Sequence, residues 1–166
     1  MQQFRIFISY SSKDEKNVLL LVSLIRSIGV SVFRDKDSIP PGIKWLPEIE
    51  EAIGEAEIVL VFWSQNSLNS IWVVKEYEQA IDLGKRVIPV LLDSTPLPEK
   101  LKDYQSLDLS ELWRFDSSTP PLIPFYETST SIHLDARLDD DLKENFLDMA
   151  YTFKVALADL ISRNNN

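Results

Sequence analysis

Between residues 4 and 91 the chain alternates short apolar runs with longer stretches in which apolar residues recur every three or four positions. The runs at 4–9 (FRIFIS), 30–33 (VSVF), 57–63 (EIVLVFW) and 86–91 (RVIPVL) are short and rich in β-branched and aromatic residues, which marks them as strands. Between them, three sets mark helices with one apolar stripe: Val18, Leu21, Val22, Ile25 and Ile28; Trp45, Leu46, Ile49, Ala52 and Ile53; Val73, Tyr77, Ala80 and Ile81. A helix between successive strands is the crossover that parallel pairing requires. The expected class is therefore α/β, doubly wound, with helices on both faces of a parallel sheet. Residues 57–63 are apolar almost throughout, as a strand covered on both faces must be, and mark the sheet centre.

Punctuation supports this division. Ser12 with Glu15 has the form of a capping box, Ser70 is placed to cap the third helix, and Gly29 and Gly84 are natural helix stops. Pro89 predicts a fourth strand that is short or bulged. Residues 97–102 suit a helical turn and 105–109 a fifth, edge strand. Residues 113–131, rich in Pro and Ser, lack a period and are expected to form a surface loop. From 135 to 161, Leu138, Leu142, Phe146, Met149, Phe153, Leu157 and Leu160 recur at three- and four-residue steps, which predicts a long C-terminal helix. The 166 residues suit a single domain, 1–166, with a loop region at 111–134 and the helix at 135–162.

Composition narrows the chemistry. With 17 basic and 26 acidic residues the net charge is −9, so no global field attracts a phosphate backbone or an anionic bilayer, and neither nucleic-acid nor membrane partners are expected. The chain has no cysteine and one histidine, His133. Thiolate nucleophiles, Cys-ligated metals and multi-histidine metal sites are excluded, leaving carboxylates, hydroxyls and aromatics to carry any catalysis. The first residues show neither a signal peptide nor a membrane span, so the cytoplasm is the expected location. No GxGxxG, Walker or GxSxG motif occurs. Residues 62–64 (FWS) stand where a phosphoacceptor domain would need an aspartate at the end of its third strand.

In doubly wound sheets ligands bind beyond the carboxyl ends of the strands. If the strand order is 2-1-3-4-5, the segments 9–13, 33–45 and 64–76 converge there. In the third, Trp72 and Glu76 stand four apart on one helix face. An indole can stack a flat heterocycle, and a partly desolvated carboxylate can hold ribose hydroxyls and stabilise positive charge at an anomeric carbon. The same spacing also describes a solvated glutamate beside a packing tryptophan. Asp35, Lys36 and Asp37 read first as a solvated loop rather than as ligands for a divalent ion. The glutamates at 48, 50, 51, 55 and 57 read as an acidic helix surface.

The segments FISYSSKDE (7–15), VFRDKDSIPPGIKWLPEIEEAI (32–53), SQNSLNSIWVVKEYEQA (64–80) and RVIPVLLD (86–93) together resemble the ordered boxes of a Toll/interleukin-1 receptor (TIR) domain, specifically the bacterial kind, over residues 4–110. The resemblance implies a flavodoxin-like five-stranded parallel sheet of order 2-1-3-4-5 and cleavage of the nicotinamide–ribose bond of NAD+. It implies no cofactor, NAD+ being the substrate, and no metal. Glu76 matches the family's catalytic glutamate and Trp72 the aromatic one turn before it. Ser9, Tyr10 and Ser11 match first-loop substrate contacts, and Phe33, Arg34, Asp35 and Trp45 the second-loop region. Where the family often has Cys after the tryptophan, this chain has Val73. The resemblance also implies head-to-tail self-association through the BB loop, about 34–45, low activity as an isolated monomer, and a setting such as bacterial antiviral defence with a trigger or effector partner. The alternative it leaves open is a non-catalytic TIR interaction module.

Overall fold

A computed structural model describes residues 5–26, 31–34, 45–110, 155 and 158–159. Five parallel strands are ordered β2-β1-β3-β4-β5: β1 Arg5–Ser9, β2 Ser31–Arg34, β3 Ile58–Trp63, β4 Arg86–Leu91 and β5 Leu107–Asp108. Four α-helices connect them among the described residues: α1 Glu15–Arg26, α2 Trp45–Glu55, α3 Gln65–Leu68 and α4 Ile71–Asp82. One-turn 3-10 segments lie at Ser12–Asp14 and Glu99–Leu101. The expected class and strand order are those observed. The expected helix stop at Gly29, the 113–131 loop, His133 and, apart from residues 155 and 158–159, the long C-terminal helix lie outside the described residues.

The period-two alternation of strand side chains divides the core into two layers. Ile6, Ile8, Ile58, Leu60, Phe62, Ile88 and Val90 face one side, where Val18, Leu21, Val22 and Ile25 of α1 pack on them. Phe7, Val59, Val61, Trp63 and Val87 face the other, against Ile49 and Ile53 of α2 and Val73, Tyr77 and Ala80 of α4. All six residues of β3 are buried, as expected of a central strand. Phe33 of β2 pairs in register with Phe7, and the rings stack at 5.6 Å, a contact worth about 0.5–1.5 kcal/mol beyond its burial. Buried Trp63 keeps its indole N–H satisfied by donating to the Pro96 carbonyl at 3.0 Å.

Two local expectations are corrected. β4 is neither short nor bulged: Arg86 to Leu91 run in continuous register with Ile58 to Trp63. Leu92 N–H donates to Trp63 O, and Leu91 O accepts from Leu109 N–H, so the odd-numbered residues of β4 turn their polar groups toward β5. Pro89 is one of these, and β5 begins pairing only at Val90, so its missing donor has no ladder bond to lose. At the start of the first helical stretch, the N-cap is Ser11 rather than Ser12, its hydroxyl accepting from Lys13 N at 3.4 Å; a 3-10 turn intervenes before α1. That turn points Asp14 inward.

Candidate active site

The two-layer parity decides which groups after β1 can meet α4. Ser9 has the parity of Phe7, so its side chain lies on the α2/α4 side, and its hydroxyl donates to Glu76 Oε2 at 2.5 Å. Tyr10, one residue on, belongs to the α1-side core and is 8% exposed. Glu76 sits in the second turn of α4, only 6% exposed although its neighbours Lys75 and Trp72 are exposed. A carboxylate is rarely buried to this degree without a hydrogen-bonding partner, since desolvation disfavours its charge. The Ser9 hydroxyl is such a partner.

Helix α4 is held at both ends by its own sequence. Ser70 caps it, accepting from Val73 N at 3.4 Å. At the other end Lys85 N–H donates to Ala80 O and Gly84 N–H to Ile81 O, with Gly84 at φ +64°, the left-handed position at which glycine is favoured. Trp72, one turn before Glu76, is 42% exposed with Lys75 Nζ 4.8 Å from its ring centroid. A flat ring half open to solvent, one helical turn from a buried carboxylate, is able to stack a heterocycle, and the carboxylate is able to stabilise positive charge.

Beside this pair lies a network that the sequence reading did not identify. Asp14 accepts from Ser64 Oγ at 2.5 Å and from Asn66 Nδ2 at 2.7 Å. Ser64 caps α3, accepting from Asn66 N and Ser67 N, both at 3.1 Å, and Ser67 Oγ donates to Phe62 O at 2.6 Å. The available signal was Ser64 at the end of an apolar strand, a capping residue for a helix too short to show a period. Asp93, two residues past the end of β4, anchors the same turn, accepting from Gln65 N at 3.0 Å and Thr95 N at 2.9 Å. Burial opposes ionisation of Asp93, but hydrogen bonds from the Thr95 side chain and from the backbone of Gln65 and Thr95 outweigh it and hold the carboxyl below its ordinary value.

Of the site residues expected from sequence, the structure joins Ser9 to Glu76 and places Trp72 one helical turn away. Ser11 caps its own turn, Tyr10 packs in the α1-side core and Phe33 stacks on Phe7. Arg34 ends β2, in register with Ile8, and Trp45 begins α2. Asp35 and the rest of the 35–44 loop lie outside the described residues. Among the described residues no group of three or more His, Cys, Asp or Glu could hold a metal ion, and no helix is long and apolar enough to cross a membrane.

Five parallel strands in the order 2-1-3-4-5 with helices on both faces define the fold class, and the sequence profile of the TIR domain matches residues 6–120. The chain belongs to the TIR domain family. It is similar to the probable 2′ cyclic ADP-D-ribose synthase TcpO of Methanobrevibacter olleyae, with 28% identity over 123 residues, 72% of this chain and 32% of that protein. It is also similar to the disease resistance protein RPP5 of Arabidopsis thaliana, with 31% identity over 101 residues, 57% of this chain and 7% of that protein. The chain thus spans about a third of the first relative and less than a tenth of the second. Among solved structures, the TIR domain of the Toll-related receptor TRR-2 from Hydra magnipapillata shares the fold at a TM-score of 0.56 and 24% identity, covering 63% of this chain and 82% of that one.

Proposed function

We propose that this TIR domain cleaves the nicotinamide–ribose bond of NAD+, with Glu76 as the catalytic carboxylate. The observation that carries the reading is the burial of Glu76 against Ser9 at the carboxyl edge of the sheet, one turn from a half-exposed tryptophan. The likeness to a probable cyclic ADP-ribose synthase supports the same reaction class.

The chemistry suits what the chain possesses. Nicotinamide in NAD+ is a cationic ring and leaves as a neutral molecule with the electron pair of the N-glycosidic bond, so no general acid is needed. Positive charge then develops at the ribose anomeric carbon, where a fixed carboxylate in a water-poor site stabilises it. Trp72 offers a face on which a ring of the substrate stacks. Capture of the ribosyl centre by water releases ADP-ribose and a proton; capture by a nucleophile within ADP-ribose gives a cyclic isomer, and an added base gives an exchange product. Self-association through the 34–45 loop completes the site in this reading, so specific activity rises with protein concentration. The biological setting we assign is NAD+ consumption or signal production in a triggered response such as antiviral defence.

The test is nicotinamide release from NAD+ by concentrated protein, wild type beside Glu76→Ala, with products separated against ADP-ribose and cyclic standards. Activity confined to the wild type is the expected result, and the product peak names the capturing nucleophile. Equal inactivity at every concentration overturns the reading in favour of an interaction module.

A further inference from the structure

The hydrogen bonds at the carboxyl edge close a ring. Asp14, 8% exposed, uses both carboxylate oxygens on the segment after β3: Oδ2 on Ser64 Oγ and Oδ1 on Asn66 Nδ2. The Ser64 hydroxyl already accepts two backbone amides of α3, and a hydroxyl has two lone pairs and one proton. Its proton must therefore go to an acceptor, which position 14 supplies while also accepting from Asn66. From Asn66 the chain passes through α3 and the Ser70 cap into α4 and reaches Glu76, which returns to Ser9, a few residues before Asp14. Ser9 at the end of β1 and Asp14 in the turn that follows thus grip the α3–α4 segment at two places.

We propose that Asp14 is a positioning residue for Glu76: by fixing the start of the α3–α4 segment, it sets where the Glu76 carboxylate stands against Ser9. The catalytic half of this inference rests on the reading of Glu76 given above; the mechanical half does not. Aligned reacting groups lose rate steeply when displaced by about 1 Å, so loosening this grip should act mainly on turnover.

The experiment compares wild type, Asp14→Ala and Asp14→Asn, each checked for folding by thermal melt, in NAD+ kinetics and in hydrogen exchange of residues 64–76, with α1 as internal reference. Asparagine can keep both contacts, its oxygen taking the Ser64 proton and its amide donating to Asn66 once that side chain turns over. Alanine keeps neither. In Asp14→Ala we expect kcat to fall on the order of 10²-fold while KM changes by less than about threefold, with faster exchange at 64–76 and not in α1. Asp14→Asn should recover most of both. An Asp14→Ala protein with wild-type kcat, unchanged exchange at 64–76, or an asparagine variant as impaired as alanine would each overturn the proposal. Should Asp14→Ala not fold, Asn66→Ala, which leaves the Ser64 contact in place, carries the same expectations at smaller size. If the wild type itself releases no nicotinamide, the reading of Glu76 fails, and the exchange measurement still decides whether Asp14 holds the segment.

Discussion

The two edges of the sheet treat polar groups in opposite ways. At the amino edge the polar contacts lie at the surface: Arg5 pairs with Glu55, the Arg5 backbone N–H donates to Glu57, and Lys85 donates to the Gly54 carbonyl. At the carboxyl edge the Ser9–Glu76 and Ser64–Asp14 contacts are buried. The buried polar residues of the described chain, Ser9, Ser11, Asp14, Ser64, Ser67 and Glu76, all sit at the ends of β1 and β3 or in the segments that follow them. Surface ion pairs cost little to form and contribute little, whereas burying a hydroxyl or carboxylate is worthwhile only with its partners in place. One edge is built for solubility and connection, the other for a fixed arrangement of polar atoms.

The largest effect is expected of Glu76→Gln. The amide oxygen can still accept from Ser9, so unfolding free energy should stay within about 1 kcal/mol of wild type, while nicotinamide release falls on the order of 10²–10³-fold. Chemical denaturation and NAD+ turnover on the same samples check both halves; equal losses in each would make Glu76 a structural residue.

At the amino edge the largest effect should come from Gly84→Ala. A Cβ there meets nothing within 4 Å, so the cost is the left-handed backbone alone, about 1–2 kcal/mol, read as a lower denaturation midpoint with turnover per folded molecule unchanged.

Asp93 sharpens the contrast through pH. Its folded carboxyl is held below the ordinary 3.8, so its contribution to stability is full above that value and is lost as pH falls below it, through the lower folded value. The gap in Tm between wild type and Asp93→Asn should be constant above about pH 5 and close as the solution becomes more acid. A gap that widens in acid would reverse the assignment.

The smallest effect is expected at Arg5→Ala. Arg5 and Glu55 are each about half exposed, so removing the pair should cost no more than about 1 kcal/mol and less in high salt, measured by denaturation at two ionic strengths.

Much of this architecture was legible in the sequence because it follows from periodicity. The run 57–63 identified the central strand, Ser70 and Gly84 bracketed α4, and the spacing of Trp72 and Glu76 put them on one face. What escaped were features without a period. Helix α3 is only four residues long, and its cap at Ser64 looked like any polar loop. The interruption expected at Pro89 did not occur because the missing donor faces the part of the edge that β5 does not reach.

The strand–helix alternation, the two apolar layers and the restriction of chemistry to carboxylates, hydroxyls and aromatics all follow from the amino-acid sequence. Those are properties of local spacing and composition. That Ser9 rather than Tyr10 meets Glu76, and that Asp14 holds Ser64 and Asn66, is set by the fold in three dimensions. These contacts join residues 50 or more positions apart, and they depend on strand parity and on where the first turn ends, which no local pattern records.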